Sequence, residues 1–148
     1  MTGNVKIVKA ELNDAEEMAK LESLCFDLDN TDIDEMYMIE WKISIGMQNT
    51  YKAVLDGTII GGSVSFPTAK KTWYMDSLFV HPDHQKRGIG RRLRKTAIEN
   101  AWLRPIITLV NVKKPHLLKF YKSMGFQIRE EIDNYFDNGE SHYVMALD

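Results

Sequence analysis

The stretch Leu78-Phe79-Val80-His81-Pro82-Asp83-His84-Gln85-Lys86-Arg87-Gly88-Ile89-Gly90-Arg91-Arg92-Leu93 decides the fold. Its first three residues close an apolar, strand-like segment, and Arg91 leads into a basic segment with helical periodicity. Strand, glycine loop, helix is the order that turns backbone N–H groups toward a phosphate. Gly88 and Gly90 allow close approach of the main chain, and the helix N-terminus adds a partial positive charge. Ordinary turns share a bare Gly-x-Gly, so the spacing alone leaves both readings open.

Composition narrows the setting. The 148 residues are 44% hydrophobic and 27% charged, which predicts one globular domain over 1–148 with a core that needs no metal or disulfide. The single cysteine, Cys25, rules out a disulfide framework and reads as a small buried hydrophobe on a helix stripe. The N-terminal residues lack the basic start and apolar centre of a secretion signal. No apolar run reaches membrane-spanning length, so a cytoplasmic protein with no membrane partner is expected. The net charge of −2 conceals an asymmetry: six acids and no Lys or Arg between Asp27 and Glu40, seven bases and one acid between Lys86 and Arg104. Each block reads either as a solvated face or as half of a pair of charge-matched sites, one for a phosphorylated ligand and one for a cation. The bases are not interleaved with aromatics, so a nucleic-acid surface is not expected.

Periodicity and turn chemistry give the element order βααβββαβαββ. Val5 to Ala10 reads as a strand. Asn13-Asp14-Ala15-Glu16 reads as a capping box opening a helix with Met18, Ala19, Leu21, Leu24 and Cys25 on its stripe. Asp32-Ile33-Asp34-Glu35 reads as a second box, before a helix that faces Met36, Ile39, Ile43 and Met47 inward. Strands at Tyr51–Leu55 and Thr58–Phe66 are joined by the hairpin pair Asp56-Gly57. Trp73–Val80 is a strand. Gly88–Leu103 is a helix burying Ile89, Leu93, Ala97 and Ala101, with Arg91, Arg92, Arg94 and Lys95 in water. A strand at Ile106–Val112 precedes a helix begun by Pro115 and stopped by Gly125. Strands at Gln127–Ile132 and His142–Ala146 flank a turn-rich loop. The fold class is α/β, a mixed sheet with helices on both faces.

Two motifs then coincide. Leu78 to Leu93 resembles the acetyl-CoA signature of the GNAT superfamily of N-acetyltransferases, whose core is Gln/Arg-x-x-Gly-x-Gly/Ala after a strand ending in Val-x-Pro. Leu118-Lys119-Phe120-Tyr121-Lys122-Ser123-Met124-Gly125-Phe126 resembles that family's Phe/Leu-Tyr-x-x-x-Gly-Phe segment. With the flanking segments the resemblance covers nearly the whole chain. It implies acetyl-CoA as cosubstrate, no metal, and direct attack of an amine on the thioester in a ternary complex. The backbone of Leu78, Phe79 and Val80 would hold the pantetheine arm, and Gln85, Lys86, Arg87, Gly88, Ile89, Gly90 and Arg91 the pyrophosphate.

Tyr121 matches the family tyrosine near the CoA sulfur and would be the general acid, since a phenol with pKa near ~10 can protonate a departing thiolate. By periodicity alone it reads first as a core tyrosine beside Leu117, Phe120 and Met124, and the matched motif reverses that order. Asp76 resembles in position the base glutamate of diamine acetyltransferases. It is read as base or water relay, against a solvated or paired structural acid. The family asparagine that contacts the pantetheine falls at Lys114, and Asn111 three residues earlier is the substitute candidate. Leu109 stands where enzymes acting on protein N-termini often carry Glu or His.

The acceptor is open between two classes. Asn134-Tyr135-Phe136-Asp137-Asn138-Gly139-Glu140 is similar to the terminal hairpin of ribosomal-protein and archaeal-type N-terminal acetyltransferases, which makes Tyr135 a peptide-contact candidate. Asp76 and the acidic run suit a polyamine or other small amine. A peptide or protein amine is preferred on the longer match. A non-catalytic acetyl-CoA-binding regulator is the reading from another class, and either a monomer or a homodimer is compatible.

Overall fold

The structure, a computed structural model, describes residues 4–26, 34–47 and 49–148. The chain divides into two compact units, Met1–Phe66 with Asp76–Ala101, and Pro67–Met75 with Trp102–Asp148. Strands and helices follow one another in the predicted order. The strands β1 (Lys6–Lys9), β2 (Thr50–Leu55), β3 (Thr58–Pro67), β4 (Trp73–Val80), β5 (Ile106–Asn111), β6 (Gln127–Ile132) and β7 (His142–Leu147) are hydrogen-bonded in the order β1-β2-β3-β4-β5-β7-β6, and β4 contributes residues to both units.

The first unit contains β1 (Lys6–Lys9), α1 (Ala15–Cys25), α2 (Glu35–Gly46), β2 (Thr50–Leu55), β3 (Thr58–Pro67) and α3 (Ile89–Asn100). β1 pairs antiparallel with β2 from Lys6↔Val54, and β2 with β3 from Thr50↔Val64 to Leu55↔Thr58. The hairpin pair Asp56-Gly57 takes φ of 50° and 80°, the positive values that a tight two-residue turn requires. The core gathers Met18 and Leu21 of α1, Trp41 and Ile45 of α2, and Val64 and Phe79 of the strands. The Trp41 and Phe79 rings meet edge-on at 5.8 Å. Gly62 is needed there: a Cβ would stand 2.5 Å from the Phe79 ring and 2.7 Å from the Met18 methyl.

Several expectations are corrected in this unit. The box before α1 is formed by Glu11 and Asp14 across a 3-10 turn at Leu12–Asp14, with Glu11 N donating to Asp14 Oδ2 at 2.7 Å. Leu24 is exposed and Cys25 only half-buried, because the stripe turns away at the helix end. α2 is capped by Asp34, whose carboxylate accepts from Tyr37 N at 2.8 Å; Asp32 and Ile33 of the expected box lie outside the described residues. The helix buries Trp41 and Ile45, while Met36, Ile39, Ile43 and Met47 face out. A helix apolar nearly all round gives periodicity no face to choose. Arg94, expected in water, is 1% exposed. α3 stops at Asn100, where Ala101 turns extended.

The second unit contains β5 (Ile106–Asn111), α4 (Pro115–Ser123), β6 (Gln127–Ile132) and β7 (His142–Leu147). Trp73 to Met75 of β4 run parallel to Ile106 to Thr108 of β5, and the register ends at Met75↔Thr108. β5 pairs antiparallel with β7, and β7 with β6. Trp73 is fully buried and packs on Trp102 at 4.3 Å. Pro115 starts α4 and Gly125, at φ 99°, stops it. β6 is largely exposed, and Arg129, Glu130 and Glu131 keep that strand in water.

Candidate active site

The predicted phosphate loop has the geometry its glycines suggested. Gly88 is the N-cap of α3 at φ 80°, ψ 7°, a left-handed conformation that costs an L-residue about 1 kcal/mol or more. No acid occupies the first turn of α3, so nothing on it opposes an anion at the unpaired N–H groups. Gln85, Lys86, Arg87 and Arg91 are exposed around that terminus. Gln85 donates its Nε2 to Val80 O at 2.9 Å, closing the loop onto the end of β4. Gly90 lies against Leu78 and Val80, where an added Cβ would make ordinary contacts of 3.7 and 3.9 Å. Ile89 and Phe79 are core side chains, so only their backbone is available to a ligand. The register with β5 covers β4 only as far as Met75, which leaves Leu78, Phe79 and Val80 outside that ladder.

The same strand lines a second feature. Asp76 and Ser77 border a cleft with about 80 Å³ of solvent space, walled by Glu22, Tyr37, Glu40, Trp41, Ser44 and Val64. Glu22 is its hub: Ser77 Oγ donates to one carboxylate oxygen and Tyr37 OH to the other. Burial, then the hydrogen bond to Glu22, pushes the Tyr37 phenol up to about 12, so it remains a donor throughout the physiological range. Asp76 is exposed taken as a whole residue and borders the cleft. Desolvation raises its pKa, the Glu22 carboxylate raises it further, and Arg94 pulls the other way. Arg94 binds the strand from beneath, donating to Asp76 O at 2.6 Å, Ser63 Oγ at 2.9 Å and Val64 O at 3.3 Å. Cys25 donates to Val80 O at 3.3 Å, and burial followed by Glu22 raises its thiol, which disfavours a thiolate nucleophile. Among the described residues no group of three or more His, Cys, Asp or Glu could hold a metal ion.

The Glu22–Asp76 coupling is directly testable. Replacing Glu22 with Gln should lower the Asp76 titration midpoint, because a charge that disfavours ionisation is removed. Carboxylate carbon shifts followed by NMR from pH 3 to pH 8 would show it. An unmoved midpoint would mean that the two groups do not interact.

The remaining candidates belong to the second unit. Tyr121 is 5% exposed in α4, with its ring edge-on to Phe126 at 5.3 Å and to Phe120 at 5.1 Å. Asn111, at the end of β5, donates to Glu140 at 2.5 Å and accepts from Lys113 N at 2.9 Å. Tyr135 is exposed in the β6–β7 loop and forms an aromatic group with Phe136 and His142. Of the expected acidic run, Asp27 to Ile33 lies outside the described residues, and Glu40 is the member that reaches the cleft. Glu22, Tyr37 and Arg94 were missed from sequence. A signal existed for two of them: Glu22 follows Met18 by four residues, and Arg94 precedes Ala97 by three, so both sit on buried stripes.

A family model described as an acetyltransferase (GNAT) domain matches residues 47–128, more than half of the chain. The chain belongs to the GNAT family. One GNAT relative, the peptidyl-lysine N-acetyltransferase YjaB of Salmonella typhimurium, is 39% identical over 77 residues, covering 50% of this chain and 49% of the relative. The [ribosomal protein bS18]-alanine N-acetyltransferase of the same organism is 31% identical over 77 residues, 48% of this chain and 52% of its own length. The matched stretch therefore spans about half of each curated relative. Among solved structures, Arabidopsis thaliana Naa50 in complex with the bisubstrate analogue CoA-Ac-MVNAL superposes with a TM-score of 0.78. It does so over 98% of this chain and 99% of that one, at 19% identity. At that identity the likeness is one of fold: a mixed α/β GNAT sheet with its helices.

Proposed function

We propose that this chain is an N-acetyltransferase that moves the acetyl group of acetyl-CoA to an amine of a peptide or protein. One observation carries the reading: β4 adjoins two different settings. Its end leads through Val80 into a basic, glycine-capped helix N-terminus, and its middle presents Asp76 and Ser77 to a cleft with three carboxylates. An anion-binding end and a cation-binding middle on one strand match a phosphorylated thioester and an amine. Names of relatives that acetylate peptidyl-lysine and a ribosomal protein's alanine agree with a peptide acceptor.

In this proposal the exposed bases and backbone N–H groups from Gln85 to Arg91 bind the pyrophosphate, and the backbone from Leu78 to Val80 guides the arm. An alkylammonium, pKa near ~10, enters the cleft under the pull of Glu22, Glu40 and Asp76. Asp76, whose raised pKa makes it a stronger base than an ordinary carboxylate, takes the ammonium proton directly or through a water. The amine lone pair forms the new N–C bond at the thioester carbonyl. The C–S bond then breaks, the thiolate takes a proton from Tyr121, and the nitrogen's second proton restores the Tyr121 phenol directly or through a water. Net, an amine proton ends on CoA-SH and the ammonium proton reaches solvent. Asn111 and Tyr135 are proposed contacts for the arm and the acceptor.

Gly88→Asp should weaken CoA binding about tenfold or more, since it adds strain and a negative charge where the diphosphate sits. Calorimetric titration with CoA checks this, and unchanged affinity would remove the phosphate-loop assignment. The activity itself is tested by free-thiol release from acetyl-CoA with two acceptor pools, short peptides and polyamines. Release with peptides supports the proposal, release with polyamines alone moves the acceptor to small cations, and no release with either favours a non-catalytic acetyl-CoA binder.

A further inference from the structure

The carboxylate cleft has an apolar neighbour. A groove with about 200 Å³ of solvent space is lined by Glu40, Ile43, Ser44, Met47 and Phe66. It shares Glu40 and Ser44 with the cleft, so one wall of α2 serves both. On β3 the cleft is bordered by Val64 and the groove by Phe66, two residues along one strand face and so about 7 Å apart. This is also the spacing of same-side side chains in an extended peptide.

We propose that this groove is a specificity subsite for an apolar side chain of the acceptor peptide, one or two residues from the amine seated in the carboxylate cleft. The inference rests on the acetyltransferase reading above and adds to it the class of acceptor sequence. Four arguments select that occupant. The groove is smaller than the roughly 300–1,000 Å³ of small-molecule sites, and its size is that of one side chain. Its floor is apolar, yet Ile43 is 55% and Met47 39% exposed, a burial that the fold leaves incomplete. A stable second copy would need on the order of 1,200 Å² or more of total buried surface, far beyond what a one-side-chain groove supplies. The carboxylates next to it favour a cation with an apolar neighbour over a wholly apolar ligand.

The test uses dye-labelled peptides with one lysine in a serine–glycine background, with leucine or serine moved through the two positions on either side of it. At the preferred position the leucine peptide should exceed its serine twin about tenfold, in kcat/KM and in affinity measured by fluorescence anisotropy with CoA present. Ile43→Ser and Met47→Ser should bring that ratio close to one while thermal unfolding stays near the wild-type midpoint, since both side chains face outward. A wild-type ratio of one at every position, or a preference that neither variant alters, overturns the subsite. So does a ratio of one together with self-association that Ile43→Ser abolishes, which would make the face a dimer contact. Equal acetylation of both twins would sink the subsite and leave the enzyme standing. Leucine-selective binding without thiol release would do the reverse.

Discussion

Tyr121→Phe is expected to lower kcat for thiol release by about 100-fold while the affinity for acetyl-CoA holds. The substitution removes one oxygen and keeps the ring, so the edge contacts with Phe120 and Phe126 survive and unfolding should change little. General acids contribute roughly 10²–10⁴-fold. The lower end is expected because a thiolate, with conjugate-acid pKa near ~8.5, is already a fair leaving group that water can eventually protonate. The loss should therefore sit in kcat, and single-turnover acetyl transfer should show it as strongly as steady-state turnover. The comparison needs calorimetry for acetyl-CoA beside the kinetics. A 100-fold fall in kcat with a matching fall in affinity would make Tyr121 a packing residue of the binding site. An unchanged kcat would remove the acid assignment altogether.

What could be read from the sequence was what short-range chemistry determines. The glycine turn into α3 was legible because Gly88 takes a left-handed φ at a helix start, a demand visible in three or four residues. The hairpin at Asp56-Gly57, the entry of Pro115 and the stop at Gly125 follow the same logic. The carboxylate cleft was half legible: Asp76 stood out as an acid on an apolar strand, whereas its partner Glu22 lies 54 positions earlier on a helix without any motif. Its hydrogen bond to Ser77 spans 55 residues. The face of α2 was misread for the opposite reason, an excess of apolar residues, so that tertiary packing of Trp41 on Phe79 decided what periodicity could not. Capping slipped for a third reason, because Asn13, Asp14 and Glu11 offer competing caps within one turn and the 3-10 geometry chose among them.

Arg94, buried where the sequence pattern puts it in water, gives the second large effect. Arg94→Met should destabilise the fold by about 3 kcal/mol, a fall in melting temperature on the order of 5–10 °C for a chain of this size. Methionine roughly fills the volume, so the cavity contribution is small. The loss arises from the acceptors, because Asp76 O, Val64 O and Ser63 Oγ each receive a guanidinium N–H. Abandoned buried acceptors cost about 1–3 kcal/mol apiece. The opposing effect is relief of a buried charge, which in some proteins makes an apolar replacement neutral or better. Here the bonds named are to neutral acceptors that cannot follow the charge out, so the unsatisfied carbonyls should win. A melting temperature that stays level or rises would show that desolvation dominates. A second readout separates function from stability. Arg94 lowers the Asp76 pKa, so its removal should move the carboxyl titration upward, the reverse of Glu22→Gln. A base with a higher pKa is protonated over more of the acidic range, and the onset of activity should shift to higher pH with it. Both readouts trace to one placement: the helix that opens at the phosphate loop sends its sixth residue, Arg94, under the strand that forms the cleft. The proposed anion site and the proposed cation site are thereby joined through a buried side chain as well as along β4.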